Sequence, residues 1–127
     1  MYLFAPAEYF QLSPAAHKAI CNGCGTSGWK GRLVPGHLLW LSIKEACDIH
    51  DYMYHVGNSI ADKEEADRVF LNNMLRIVEA ESVWLLRRWR RHMAIDYYGA
   101  VRDFGGPAFW TDKNDLQCMQ VVIAHAG

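Results

Sequence analysis

The sequence predicts a mostly α-helical fold in one domain, and three observations lead there. Apolar residues recur at helical spacing over residues 43–56 and again over 63–79; helix-start patterns precede both stretches; and a glycine-rich loop stands before them. At 127 residues, 51% hydrophobic and with five tryptophans, the chain has enough apolar surface for one core.

The elements follow in order. Ser13 is placed to cap a short helix that opens with Pro14 and runs through Ile20. Residues 21–36 carry Gly23, Gly25, Gly28, Gly31, Pro35 and Gly36, a loop whose backbone is free to turn carbonyls toward a ligand. Ser42-Ile43-Lys44-Glu45 fits a capping box and Gly57 a stop, giving a helix over 43–56 with Ile43, Cys47, His50 and Tyr54 facing inward. After Asn58 and Ser59, the span Asp62 to Glu65 repeats the capping pattern. Ala66, Val69, Phe70, Met74, Ile77 and Val78 then mark a second, antiparallel core helix. After a break between Glu79 and Ser82, helical pattern continues through Trp84, Leu85, Trp89 and Met93 toward Val101 and ends at Gly105-Gly106-Pro107. The aromatic run Phe104 to Trp110 is expected to cap the core, and Val121, Val122 and Ile123 to form a short strand or docked tail. Residues 21–78 are the expected core and 80–127 a helical extension with a tail.

Composition excludes some functions. A net charge of −1, from 13 basic and 14 acidic residues, gives no global attraction to nucleic acid, and no nucleic-acid partner is expected. The first ten residues contain Pro6 and Glu8 and lack a basic leader, and no window supplies the ~18 apolar residues of a membrane span. The expected location is cytoplasmic as encoded, or outside by a non-classical route. Four cysteines, Cys21, Cys24, Cys47 and Cys118, are too few for a disulfide-dense secreted scaffold; Cys118 is expected to be a buried small hydrophobe.

The chemistry concentrates between residues 47 and 67. His50 and Tyr54 stand i to i+4 on one helical face, Asp51 points about 100° away, and Asp67 comes from the next helix. A carboxylate on one imidazole nitrogen fixes the tautomer and stabilises the imidazolium, so His50 with Asp67 suits a base that activates water. Asp51 offers a hard oxygen, and carbonyls of the glycine loop complete the shell that Ca²⁺ prefers.

Cys47-x-x-His50-Asp51-x-x-Tyr54 resembles the active-site helix of the phospholipase A2 superfamily, and Asn22-Gly23-Cys24-Gly25 resembles its calcium loop, especially that of the compact group XII type. The resemblance covers roughly residues 21–78. It implies a phospholipase A2-like fold and a calcium-dependent hydrolase acting on phospholipid at a membrane surface. It further implies His50 as general base, Asp67 as its orienter, Tyr54 in the supporting network and Asp51 as calcium ligand. Gly23, Gly25 and Ser27 align with the carbonyl ligands, the Gly25 amide faces the oxyanion, and Cys24–Cys47 is the family disulfide retained. Other half-cystines of the family correspond to Met53 with Ala66 and to Ala46 with Asn73. Burial of Met53, Val69, Phe70 and the tryptophans is therefore expected to replace those crosslinks.

Two other readings of the same residues compete. Cys21-x-x-Cys24 and Cys47-x-x-His50, 22 residues apart, fit a structural zinc site, with a basic helix for nucleic acid. The other is a phospholipase-like structural protein without catalysis. The run Arg87-Arg88-Trp89-Arg90-Arg91 reads either as a solvated face with Trp89 packed inward or as a face for anionic lipid. An exposed aromatic face would equally suit a subunit interface in an oligomer.

Overall fold

Ser59 decides where the central pair of helices turns. Its Oγ accepts the Asp62 amide at 3.1 Å while Asp62 Oδ2 accepts the Asn58 amide at 2.9 Å, a reciprocal cap that starts the second core helix earlier than the Asp62 pattern implies. The computed structural model describes residues 2–21 and 36–110. Gly23, Cys24, Gly25, Ser27, Cys118 and the expected strand at Val121, Val122 and Ile123 lie outside them.

The described chain is mostly helical. A 3-10 turn at Ala7–Gln11 leads to α1 (Pro14–Ile20), capped by Ser13 Oγ on the Ala16 amide as expected. A two-residue-per-strand hairpin, β1 (His37–Leu38) with β2 (Leu41–Ser42), precedes α2 (Lys44–Val56), α3 (Ile60–Glu81), α4 (Trp84–Phe104) and the short α5 (Gly106–Trp110). The capping box at Ser42 does not form. Ser42 is held in β2 opposite His37, so Ile43 becomes the N-cap without a side-chain bond, and Ser42 Oγ reaches only the Lys44 amide at 3.3 Å. Gly57 ends α2 as expected, and a β-carbon there would stand 2.8 Å from the Phe109 ring.

Helix α3 is central, packed against α2 on one side and α4 on the other. Leu38, Ile43, Ala46, Cys47, Phe70, Met74, Ile77, Val78, Ala94 and Val101 form the core between them, each large apolar side chain stabilising the fold by roughly 1.5–3 kcal/mol. Ala46, Ala66 and Asn73, where the resemblance implies lost crosslinks, are all fully buried. Asn73 adds a polar tie, accepting the Phe4 amide at 2.7 Å and donating to the Phe4 carbonyl at 2.8 Å.

Among the described residues, the tryptophans do not supply the core. Trp84, Trp89 and Trp40 are 76%, 66% and 86% exposed, and only Trp110 among those described is packed inward, beside Phe109. The phase of α4 explains the difference. Ala94 and Val101 face α3, which carries Arg90, one turn before Ala94, to the same side and leaves Trp89 a 100° step away. Arg90 is 7% exposed, with Nε on the Leu38 carbonyl at 2.9 Å, Nη2 on the Leu39 carbonyl at 2.7 Å and Nη1 on Ser82 Oγ at 3.0 Å. Its hairpin is strained, since Leu39 and Trp40 both sit at positive φ, 45° and 68°, in a tight turn that usually takes asparagine and glycine.

The aromatic run does cap the core: Phe109 is fully buried on α5, although Phe104 is exposed. No described helix is long and apolar enough to cross a membrane.

Candidate active site

Helices α2 and α3 bring three of the predicted site residues to one point. His50 lies on the inward stripe of α2 with Tyr54 one turn later, and Asp67 projects from α3 where Ala66 and Phe70 set the buried face. His50 Nε2 is 2.8 Å from Asp67 Oδ1, and the Tyr54 hydroxyl donates to the same oxygen at 2.7 Å. A carboxylate accepts only, so Nε2 carries the proton and Nδ1 is the basic nitrogen. The imidazole is stacked on the Phe70 ring, centroids 4.5 Å apart, with the Tyr54 ring tilted against it at 4.2 Å.

The other Asp67 oxygen belongs to a residue absent from the expected site. Lys63, one turn earlier on α3, donates to Asp67 Oδ2 at 2.7 Å and to the Val101 and Arg102 carbonyls at 3.1 and 3.2 Å. Burial opposes ionisation of Asp67, but the hydrogen bond and charge of His50, with the hydrogen bonds of Lys63 and Tyr54, outweigh it and hold its carboxyl below the ordinary value. Burial, then the Asp67 charge beside it, pushes the Tyr54 phenol up, so it stays a donor.

The extension beyond residue 80 closes the back of this site. Tyr54 packs edge-on against Phe109 at 5.2 Å, and a β-carbon on Gly105 would stand 2.5 Å from the Tyr54 hydroxyl and 2.4 Å from the Val101 carbonyl. Lys63 at i−4 from Asp67 was a readable signal in the sequence. Val101, Gly105 and Phe109 arrive over separations of 38 or more residues and leave no local pattern.

Asp51 is half-buried on α2, and its negative charge is one of those that push the Tyr54 phenol up. Its proposed co-ligands at Gly23, Gly25 and Ser27 fall outside the described residues, and no group of three His, Cys, Asp or Glu side chains placed to hold a metal occurs among the described ones. Cys47 is fully buried and disulfide-bonded, whereas Cys21 is a buried free thiol; Cys24 and Cys118 lie outside the described residues. Of the arginine run, Arg88 and Arg91 are exposed and Arg87 partly so, while Arg90 belongs to the hairpin.

A second polar cluster flanks α2. Tyr9 donates to Glu45 at 2.8 Å and meets His17 Nε2 at 3.1 Å, while the fully buried Asp48 takes Lys44 at 2.6 Å. Comparison with family models, with curated proteins and with solved structures returned no match for this chain.

Proposed function

We propose that this chain is a calcium-dependent, phospholipase A2-like ester hydrolase acting on phospholipid. The observation that carries the reading is the hydrogen-bonded chain Tyr54–Asp67–His50, in which the carboxylate takes Nε2 and leaves Nδ1 as the base. A buried, ionised Asp67 held by three donors is the orienter such a base requires.

In this reaction Nδ1 of His50 takes a proton from water as the water oxygen attacks the ester carbonyl carbon. Asp67 stabilises the imidazolium that forms, and the imidazolium then returns the proton to the departing alkoxide. Tyr54 and Lys63 hold Asp67 in register throughout, at oxygens Oδ1 and Oδ2 respectively. The donor set fits calcium, since a carboxylate at Asp51 with main-chain carbonyls at Gly23, Gly25 and Ser27 is all hard oxygen. Calcium so bound would polarise the ester carbonyl.

A disulfide-bonded Cys47 has no thiolate to offer zinc, and His50 Nε2 is engaged by Asp67, which weighs against the zinc module. One observation favours a non-catalytic, structural phospholipase-like protein: the His50 ring has no solvent-exposed surface, so turnover requires an opening at that ring when substrate binds. Fatty-acid release from phospholipid vesicles separates the two. Wild-type protein with Ca²⁺ is expected to release fatty acid, chelation to stop it, and His50→Gln or Asp51→Asn to lower it by roughly 10²-fold or more with helical content intact. Undiminished release in both variants, or none from the wild type, would overturn the reading.

A further inference from the structure

We infer that the outer face of α4 is a docking surface for anionic lipid, separate from the candidate active site and independent of calcium. Trp84, Arg87, Arg88, Arg91, His92 and Ile95 recur at steps of three and four, so they form one stripe, and they line an open groove of about 460 Å³. From Trp84 to Ile95 the helix holds four arginines and a histidine and no acidic residue, although the whole chain has a net charge of −1. Arg90 turns inward, which leaves three guanidiniums on the groove. Among the described residues one carboxylate pairs with them: Glu79 of α3 lies 3.6 Å from Arg87 and 2.5 Å from Arg91. Arg88 makes no ion pair with a described residue, and the face keeps a positive surplus.

Charge alone would suit any polyanion; the apolar residues select among them. Trp84 and Ile95, 76% and 52% exposed, stand in the groove itself, and Leu85 and Trp89, 63% and 66% exposed, each lie one 100° step round the helix from a groove residue, as an apolar strip beside it. Nucleic acid would use the guanidiniums and the flat rings but leave Leu85 and Ile95 in water. A lipid surface takes all of them: phosphate at the arginines, indole at the headgroup boundary and aliphatic side chains below it. A helix lying in the interface needs this arrangement, a basic stripe beside an apolar one. The face lies apart from the catalytic network, which touches α4 at Val101. Six residues separate Ile95, the last residue of the groove, from Val101, about 9 Å along the helix. Docking therefore leaves His50 and Asp67 untouched.

The full-length chain, in chelator, is to be sedimented with vesicles of phosphatidylcholine alone and of phosphatidylcholine with phosphatidylglycerol. Binding is expected only where phosphatidylglycerol is present. With each arginine contributing about fivefold, Arg88→Gln with Arg91→Gln should weaken binding roughly 25-fold. Trp84→Ala with Trp89→Ala should weaken it as well, and unchanged melting temperatures would show that both double variants are folded. Equal binding to the two vesicle types, no binding to either, full binding by the arginine variant, or preference for duplex DNA over the anionic vesicles would overturn the inference. The hydrolase reading fails separately: vesicle binding in chelator without fatty-acid release in calcium sinks that reading alone. Turnover of dispersed phospholipid with no vesicle preference sinks this one alone.

Discussion

Lys63 Nζ stands 2.7 Å from Asp67 Oδ2 and, with its remaining donors, grips the last turn of α4 through the Val101 and Arg102 carbonyls. One ammonium thus ties the orienting carboxylate of α3 to the end of the next helix. Lys63→Met is expected to cost about 2 kcal/mol, the scale of a partly buried charge-assisted hydrogen bond, read as a lower denaturation midpoint. If Asp67 orients a catalytic base, kcat should fall more than KM rises. A variant as stable as the wild type would remove Lys63 from this role.

Asp67 also sets a pH dependence. Its folded-state carboxyl lies below the ordinary value of 3.8, where the unfolded chain titrates, so its stabilisation is fully present above 3.8 and is lost as pH falls through the lower folded value. Asp67→Asn should therefore show a shallower acid limb in melting temperature against pH than the wild type. Superimposable acid limbs would contradict the assignment.

Gly105 is required by crowding, not by an unusual backbone angle. A methyl group there meets the Tyr54 hydroxyl at 2.5 Å and a main-chain oxygen at 2.4 Å, so Gly105→Ala must displace one of them. The expected cost is about 1–3 kcal/mol, whereas Gly99→Ala, with nothing within 4 Å of the added carbon, should be neutral or slightly stabilising. Equal melting temperatures for the two variants would count against the close approach.

Arg90 and Arg88 are neighbours of opposite kind. Arg90→Met leaves the Leu38 and Leu39 carbonyls and Ser82 without their donor beneath a strained turn, and is expected to cost about 3 kcal/mol. Arg88→Gln on the exposed face should change stability by no more than about 0.5 kcal/mol. Thermal melts of the pair test this; a stable Arg90 variant would mean the hairpin holds itself.

Burial, then the negative charges of Asp48, Asp51 and Glu45, pushes the Cys21 thiol up to about 12. At pH 8 its thiolate fraction is then roughly 10⁻⁴. Alkylation of native protein should spare Cys21 and also Cys47, the first reacting only on unfolding and the second only after reduction. Peptide mapping of labelled protein gives the answer, and rapid native labelling at either position would refute it.

How much of this was legible in the sequence follows from the range of each interaction. The pairing of His50 with Tyr54, the glycine after α2, the proline and serine at α1 and the inward stripes of α2 and α3 depend on 3.6-residue periodicity and local capping, which the sequence carries directly. Helix start points depended on pairing outside the local pattern. Ser42 has capping chemistry but is engaged in the β2 pairing with His37, and Ser59 with Asp62 started α3 instead of Asp62 with Glu65. Which side of α4 faces inward was not legible, because Trp89 and Arg90 differ by one step of 100° and apolarity alone prefers the wrong one. The hairpin carbonyls, distant in sequence, supplied the hydrogen bonds that draw a guanidinium into the core. The same holds at the site. By itself the sequence determined that a histidine, a tyrosine and an aspartate could share a face of two helices. Only the tertiary structure decided that Lys63, Val101, Gly105 and Phe109 would close around them, since buried polar groups take partners from whatever chain the fold brings within 3 Å.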